Sequence, residues 1–207
     1  MTIHLHQGDL PEGIDLGPLV AIDSEAMGLD PRRDRLCLVQ LSAGDGVTHL
    51  VQLPPLSPGG IHRAPVLAQL LEDPGRVKLF HFARFDVAAF RAWLGVVCRP
   101  IYCTKIASRL VRTYTDRHGL KDLCRELLGI DLSKQQQSSD WGARELNADQ
   151  MKYAASDVLH LHGLKERLDS MLAREGRASL AQACFDFLPV RAELDLLGWD
   201  EPDIFAH

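Results

Sequence analysis

Residues 20–29, Val-Ala-Ile-Asp-Ser-Glu-Ala-Met-Gly-Leu, set two acids into an apolar strand pattern. Val20 and Ile22 alternate with Ala21 and Asp23, the period of two that marks a strand. Asp23 and Glu25 therefore project from one face, about 7 Å apart along the chain. Carboxylates on an apolar strand repel each other and resist desolvation. A fold that buries this strand must bring something positive beside them, and a divalent cation is the obvious candidate. An isolated Asp-x-Glu more often marks a strand end facing water, so the acids further along decide between the two readings. Gly28 lets the chain turn closely past whatever binds there.

The rest of the first half reads as strands and turns. Residues 2–6 alternate, 36–41 form an apolar run, and 48–53 follow the hairpin signal Gly44-Asp45-Gly46. With strand 19–25 these predict an antiparallel meander whose first member carries the two carboxylates. Further strands are predicted at 77–82 and 100–103. Helical periodicity covers 62–72, 86–94, 105–111, 120–128, a long stretch from Asn147 or Asp149 to about 172, and 178–187. No linker or repeat divides the 207 residues. The expectation is a single α/β domain over residues 1–207 with a mixed sheet flanked by helices. The tail from 194 to 207 is apolar for a terminus; it either packs back on its own domain or, as is expected for the segment 189–207, lies at a subunit interface.

Two further sites complete the acidic set. Asp86 follows strand 77–82 at the start of its helix. Tyr153 and Asp157 are four apart and share one helix face, about 6 Å from each other. If these groups meet Asp23 and Glu25, their oxygens suit two hard cations such as Mg²⁺ or Mn²⁺. Two such ions about 4 Å apart can stabilise both the attacking and the leaving oxygen of a phosphodiester. Tyr153 would orient or deprotonate the attacking water.

Charge bears on the substrate. The net charge of −5 argues against nonspecific grip on a long nucleic acid. A short anion, binding through metal ions, or a local basic patch fits better. Residues 103–121 carry Lys105, Arg109, Arg112, Arg117 and Lys121 against Asp116, which without other support is a solvated helix face. Five cysteines with no CxxC pair point to reduced thiols in a cytosolic protein.

The motifs together resemble the ribonuclease D group, the DEDD 3′-5′ exonucleases with tyrosine in the third motif. The resemblance rests on Asp-Ser-Glu-Ala-Met-Gly-Leu with Asp-Arg-Leu-Cys-Leu-Val-Gln-Leu, on Phe-His-Phe-Ala-Arg-Phe-Asp, and on Ser-Asp-Trp with Tyr-Ala-Ala-Ser-Asp-Val. Each is weak alone; all three in order are strong. Within the group, residues 114–122, 133–141 and 200–207 are similar to the short bacterial nanoRNase branch. The resemblance implies a ribonuclease-H-like (DnaQ-like) fold with a mixed five-stranded sheet. It implies that Asp23, Glu25 and Asp157 ligate a first metal, that Asp23 bridges to a second with Asp86, and that Tyr153 acts on the water. It also implies hydrolysis of very short RNA down to dinucleotides and a ring-shaped homo-octamer. In one departure from full-length ribonuclease D, the sequence ends where the helical nucleic-acid-binding (HRDC) domains would begin, so none is expected. A broader exonuclease acting on longer RNA or DNA, and a non-catalytic RNA-binding module on the same fold, are the competing readings.

Substrate contacts are assigned on the same footing. Met27, Gly28 and Leu29 follow the first acids, and Leu29 is expected to wedge between the last two bases. His81 is placed to touch the terminal nucleotide. Gln136, Gln137, Ser139 and Trp141 lead into the third motif. Arg112, Arg117 and His118 are the candidates to hold a 5′ phosphate, since bidentate arginine suits phosphate.

Overall fold

A computed structural model describes residues 1–56, 59–133, 138–201 and 204–205. Gln136 and Gln137 lie outside the described residues. Six strands form one sheet: β1 (Thr2–Gln7), β2 (Leu19–Ala26), β3 (Leu36–Ser42), β4 (Val47–Gln52), β5 (Val77–Phe80) and β6 (Ile101–Cys103). The spatial order is β1-β4-β3-β2-β5-β6. Strands β2, β3 and β4 form the expected antiparallel meander, while β5 and β6 add in parallel beyond β2. The sixth strand, beyond the five that the resemblance implies, is β1, which pairs in parallel with β4 at the sheet edge.

The turn between β3 and β4 needs positive φ, and Gly44 and Gly46 supply it at +82° and +84°. Strand β3 is buried at every position, as its continuous apolar run demands. A bulge after Glu25 shifts the register, pairing Glu25 with Leu38 but Ala26 with Leu36. The extra residue is Cys37, so the sheet bends beside the acids.

The helices are α1 (Pro65–Glu72), α2 (Ala83–Leu94), α3 (Thr104–Val111), α4 (Leu120–Leu123), α5 (Ala148–Leu159), α6 (Leu161–Arg174) and α7 (Ala178–Leu196). A wide helical turn, Cys124–Leu128, continues α4. Three boundaries differ from the sequence reading. Helix α2 begins at Ala83 because Phe82, two residues past β5, turns the chain in a left-handed conformation, φ +70°. Asp86 thus falls in the first turn of the helix. The expected long helix from 147 breaks at His160, which separates α5 from α6. Helix α7 runs through Pro189, since one lost N–H bond does not outweigh burial of Phe185, Leu188 and Ala192.

Two apolar clusters result. The larger joins Val20, Ile22 and Leu36 to Val87 and Phe90 of α2, Leu164 and Leu168 of α6, and Phe185 of α7. Burying each such side chain stabilises the fold by about 1.5–3 kcal/mol. The smaller lies under α5 and contains Cys37, Leu38, Leu50, Trp141, Leu146 and Ala154. The acids sit at its margin. Among the described residues no helix is long and apolar enough to cross a membrane.

Candidate active site

Alternation along β2 sends Asp23 and Glu25 to the face that α5 covers. Helix α5 arrives with a defined rotation because its start is locked by a capping box. The Asn147 side chain accepts from the backbone N–H groups of Asp149 and Gln150, and the Gln150 side chain accepts from the Asn147 N–H. Gln150 also donates to the Asp140 carbonyl at 3.1 Å. Tyr153 and Asp157 then face the strand acids. One carboxylate oxygen from each of Asp23, Glu25 and Asp157 lies within 4.8 Å of the other two.

Asp86 approaches separately, from the first turn of α2. It is buried, and its Oδ1 accepts a 2.6 Å hydrogen bond from Ser24 Oγ. Ser24 is the residue between the two strand acids and points to the opposite face, towards α2. The sequence reading missed this role. Its signal was the same alternation that paired Asp23 with Glu25: a small hydroxyl at the middle position must face the element on the other side.

The electrostatics show strain that a cation would relieve. Burial, then Asp86, Asp157 and Glu25, hold the Asp23 carboxyl well above the usual carboxylate range. Burial, then Asp157 and Asp86, push Glu25 up to about 9. Burial raises Asp86 and Asp157 to about 7, opposed by the hydrogen bonds from Ser24 and Tyr153. Four buried carboxyls, two of them raised further by the others, fit a hard divalent ion. Tyr153 is also pushed above its ordinary value, by burial and then by Asp157, Glu25 and Asp23. Its phenol therefore keeps its proton at neutral pH and acts as a donor; its ring lies 6.1 Å from that of Trp141.

The remaining sequence-assigned residues fall into two groups. Leu29 is 89% exposed beside the acids' strand, and Met27 is exposed as well. Gly28 turns closely past a protein group: a Cβ there would overlap the Asp34 carboxylate, which accepts from the Asp30 N–H at 2.9 Å. His81 is pushed down to about 3 by burial and by Lys105. Thr104 Oγ1 donates to the Phe80 carbonyl, so the 2.9 Å contact from His81 Nδ1 places the imidazole proton on Nδ1. Ser139 is half-buried, whereas Trp141 is buried in the small cluster.

The second group is Arg112, Arg117 and His118. Arg112 is fully buried, and its guanidinium donates to Glu126, to Ser108 Oγ at 3.0 Å and to the Arg117 carbonyl at 2.6 Å. It shapes the loop to His118 and does not offer a free fork to a phosphate. His118 Nδ1 is 2.9 Å from Ser108 Oγ, and Arg117 is exposed.

A profile described as 3′-5′ exonuclease matches residues 10–173. The chain belongs to this 3′-5′ exonuclease family. Among curated relatives, ribonuclease D of Gluconacetobacter diazotrophicus is 39% identical over 160 residues, covering 77% of the chain and 39% of the relative. The chain thus spans about two fifths of the length of the ribonuclease D proteins it first matches. Brucella melitensis NrnC with bound Mg²⁺ is 52% identical, covers 100% of both chains, and superposes with a TM-score of 0.93. The same Brucella protein bound to pGG is 53% identical with a TM-score of 0.94, covering 100% of this chain and 99% of that one. The family fold is DnaQ-like, with the mixed sheet and flanking helices described above.

Proposed function

We propose that this exonuclease is a two-metal-ion 3′-5′ exoribonuclease that hydrolyses very short RNA, down to dinucleotides, to nucleoside 5′-monophosphates. The observation that carries the reading is the convergence of Asp23, Glu25 and Asp157 within 4.8 Å, with Asp86 raising the pKa of both strand acids. A binding module has no use for carboxylates aimed at a polyanion. Full-length similarity to NrnC, a protein seen with Mg²⁺ and with pGG, supports the short substrate.

Asp23, Glu25 and Asp157 would hold one divalent ion, and Asp23 with Asp86 a second, Mg²⁺ or Mn²⁺. Bound there, such ions supply Lewis-acid stabilisation of the phosphodiester and a more acidic water. The protein's own groups do the rest. The Tyr153 hydroxyl orients the water, fixed in turn by Asp157. Exposed Leu29 presents an apolar edge to the terminal bases, with Met27 beside it. His81 offers a neutral Nε2 acceptor near the terminal sugar. Arg117 and His118 take the 5′ phosphate, while Arg112 holds their loop, and Gln136, Gln137, Ser139 and Trp141 contribute further substrate contacts. A homo-octamer built partly through the exposed apolar residues of α7 and the tail, and a cytoplasmic location, complete the proposal.

The test is turnover on two-, five- and twenty-nucleotide RNAs with and without chelator. Fast cleavage of the dimer, slow cleavage of the twenty-mer and silence with chelator are expected. Equal turnover on all three lengths would favour the broader exonuclease.

A further inference from the structure

Gln40 of β3 stands directly opposite Asp23 of β2 in the antiparallel register. Opposed residues project from the same sheet face with their Cβ atoms about 4.5–5.5 Å apart. Gln40 therefore lies beneath α5, next to the acid that most of the cluster surrounds. It is 0% exposed, yet neither Nε2 nor Oε1 has a hydrogen-bond partner among the described residues. One strand over, Thr48 of β4 is also 0% exposed with an unpartnered Oγ1. Gln40 pairs with Leu50, so Thr48 is its diagonal neighbour on the same face.

Three orphaned buried atoms in a row are costly, and native structures keep few of them without a reason. Either Gln40 or Thr48 could be apolar, as the neighbouring Leu38 and Leu50 are. Donor and acceptor types, however, run in one direction. The Thr48 hydroxyl can donate to Gln40 Oε1, and Gln40 Nε2 can donate to a carboxylate. Only Asp23 offers that carboxylate directly across the ladder.

We infer that Gln40 is a positioning residue for the metal-holding acids: backed by Thr48, its amide donates to Asp23 and fixes which carboxylate oxygen faces the ion. The inference rests on the metal-dependent reading above. Outer partners of ligating carboxylates set their orientation, and losing one lowers metal affinity about 10–100-fold. The chain Thr48 to Gln40 to Asp23 would satisfy all three orphaned atoms at once.

Isothermal titration of Mn²⁺ into the wild type, Gln40→Met, Thr48→Val and the double variant tests this, with melting of each metal-free protein alongside. Expected are an unchanged or higher Tm for metal-free Gln40→Met and a Mn²⁺ dissociation constant raised about 10-fold or more. Thr48→Val should have a smaller effect, and the double variant should be no worse than Gln40→Met. Wild-type Mn²⁺ affinity in Gln40→Met overturns the inference, as does a lower Tm with unchanged affinity. Should Gln40→Met not fold, a crystal structure of the wild type with Mn²⁺ decides: Nε2 must lie within hydrogen-bond distance of Asp23, and an amide turned elsewhere refutes the role. A wild type that neither binds Mn²⁺ nor cleaves RNA would instead sink the nuclease reading itself.

Discussion

Compare the two interiors that the sheet supports. Under α2, α6 and α7 lies an apolar core whose members have no partner to find beyond each other. Under α5 lies a small cluster that gives way to the crowded carboxyls of Asp23, Glu25 and Asp157 and to the unpartnered amide of Gln40. The first interior makes the domain stable. The second spends some of that stability on a charge arrangement that is unfavourable until a cation arrives. Its neighbours are correspondingly specialised: a bulge at Cys37, a capped helix, and a serine whose hydroxyl holds an acid from the far side. Acids of this kind persist only where a large core tolerates the cost.

The contrast predicts that substitutions in the two interiors affect different observables. The largest effect should come from Asp157→Asn. Removing one electrostatic stabiliser at a reacting centre costs about 10²–10³ in kcat, and here the fold should hold or gain, because a repelling carboxyl has gone. Steady-state kinetics on dinucleotide RNA with a parallel melting curve checks both halves; lost activity together with a collapsed Tm would break the comparison. Leu164→Ala, deep in the large core, should do the reverse. It should destabilise by about 2–5 kcal/mol in denaturant titration while the folded fraction keeps its kcat. Ser24→Ala lies between the two interiors. It should cost about 1–3 kcal/mol by leaving the buried Asp86 carboxyl short of a donor, and should also weaken Mg²⁺ binding.

The smallest effect expected is a pH dependence of the metal-free protein. Asp86 and Asp157 are raised to about 7 and Glu25 to about 9, against unfolded values near 4. Between those limits the folded chain binds more protons than the unfolded one, so stability falls as pH rises. These groups therefore stabilise the fold fully only below their unfolded pKa. The metal-free Tm should drop between mildly acidic and mildly basic buffer. Mg²⁺ should reverse the trend, because the ion needs its ligands deprotonated. A metal-free Tm that climbs over the same interval would show that the acids are not mutually strained.

Much of this was legible in the chain. Period-two runs located the strands, Gly44-Asp45-Gly46 announced the hairpin, and the four-residue spacing put Tyr153 and Asp157 on one face. What stayed hidden depended on partners remote in sequence. Arg112 looked like a surface cation, but Glu126, Ser108 and the Arg117 carbonyl together make its burial tolerable. Phe82 starts α2 early by adopting a backbone that local propensity disfavours. His160 carries no breaker signal, yet the helix divides there, so that α5 can lie along the sheet while α6 packs on α3. Strand β1 pairs with β4 in parallel, and nothing in Thr2–Gln7 chooses that neighbour.

The capped start of α5 also governs which changes in length the protein can survive. A helix advances about 100° per residue, and Asn147 with Gln150 sets the zero of that dial. A residue added before Asn147 would lengthen a loop and leave the dial alone. One added between Gln150 and Tyr153 would swing the phenol and Asp157 a quarter-turn away, dismantling the acidic site while every element of the fold remained.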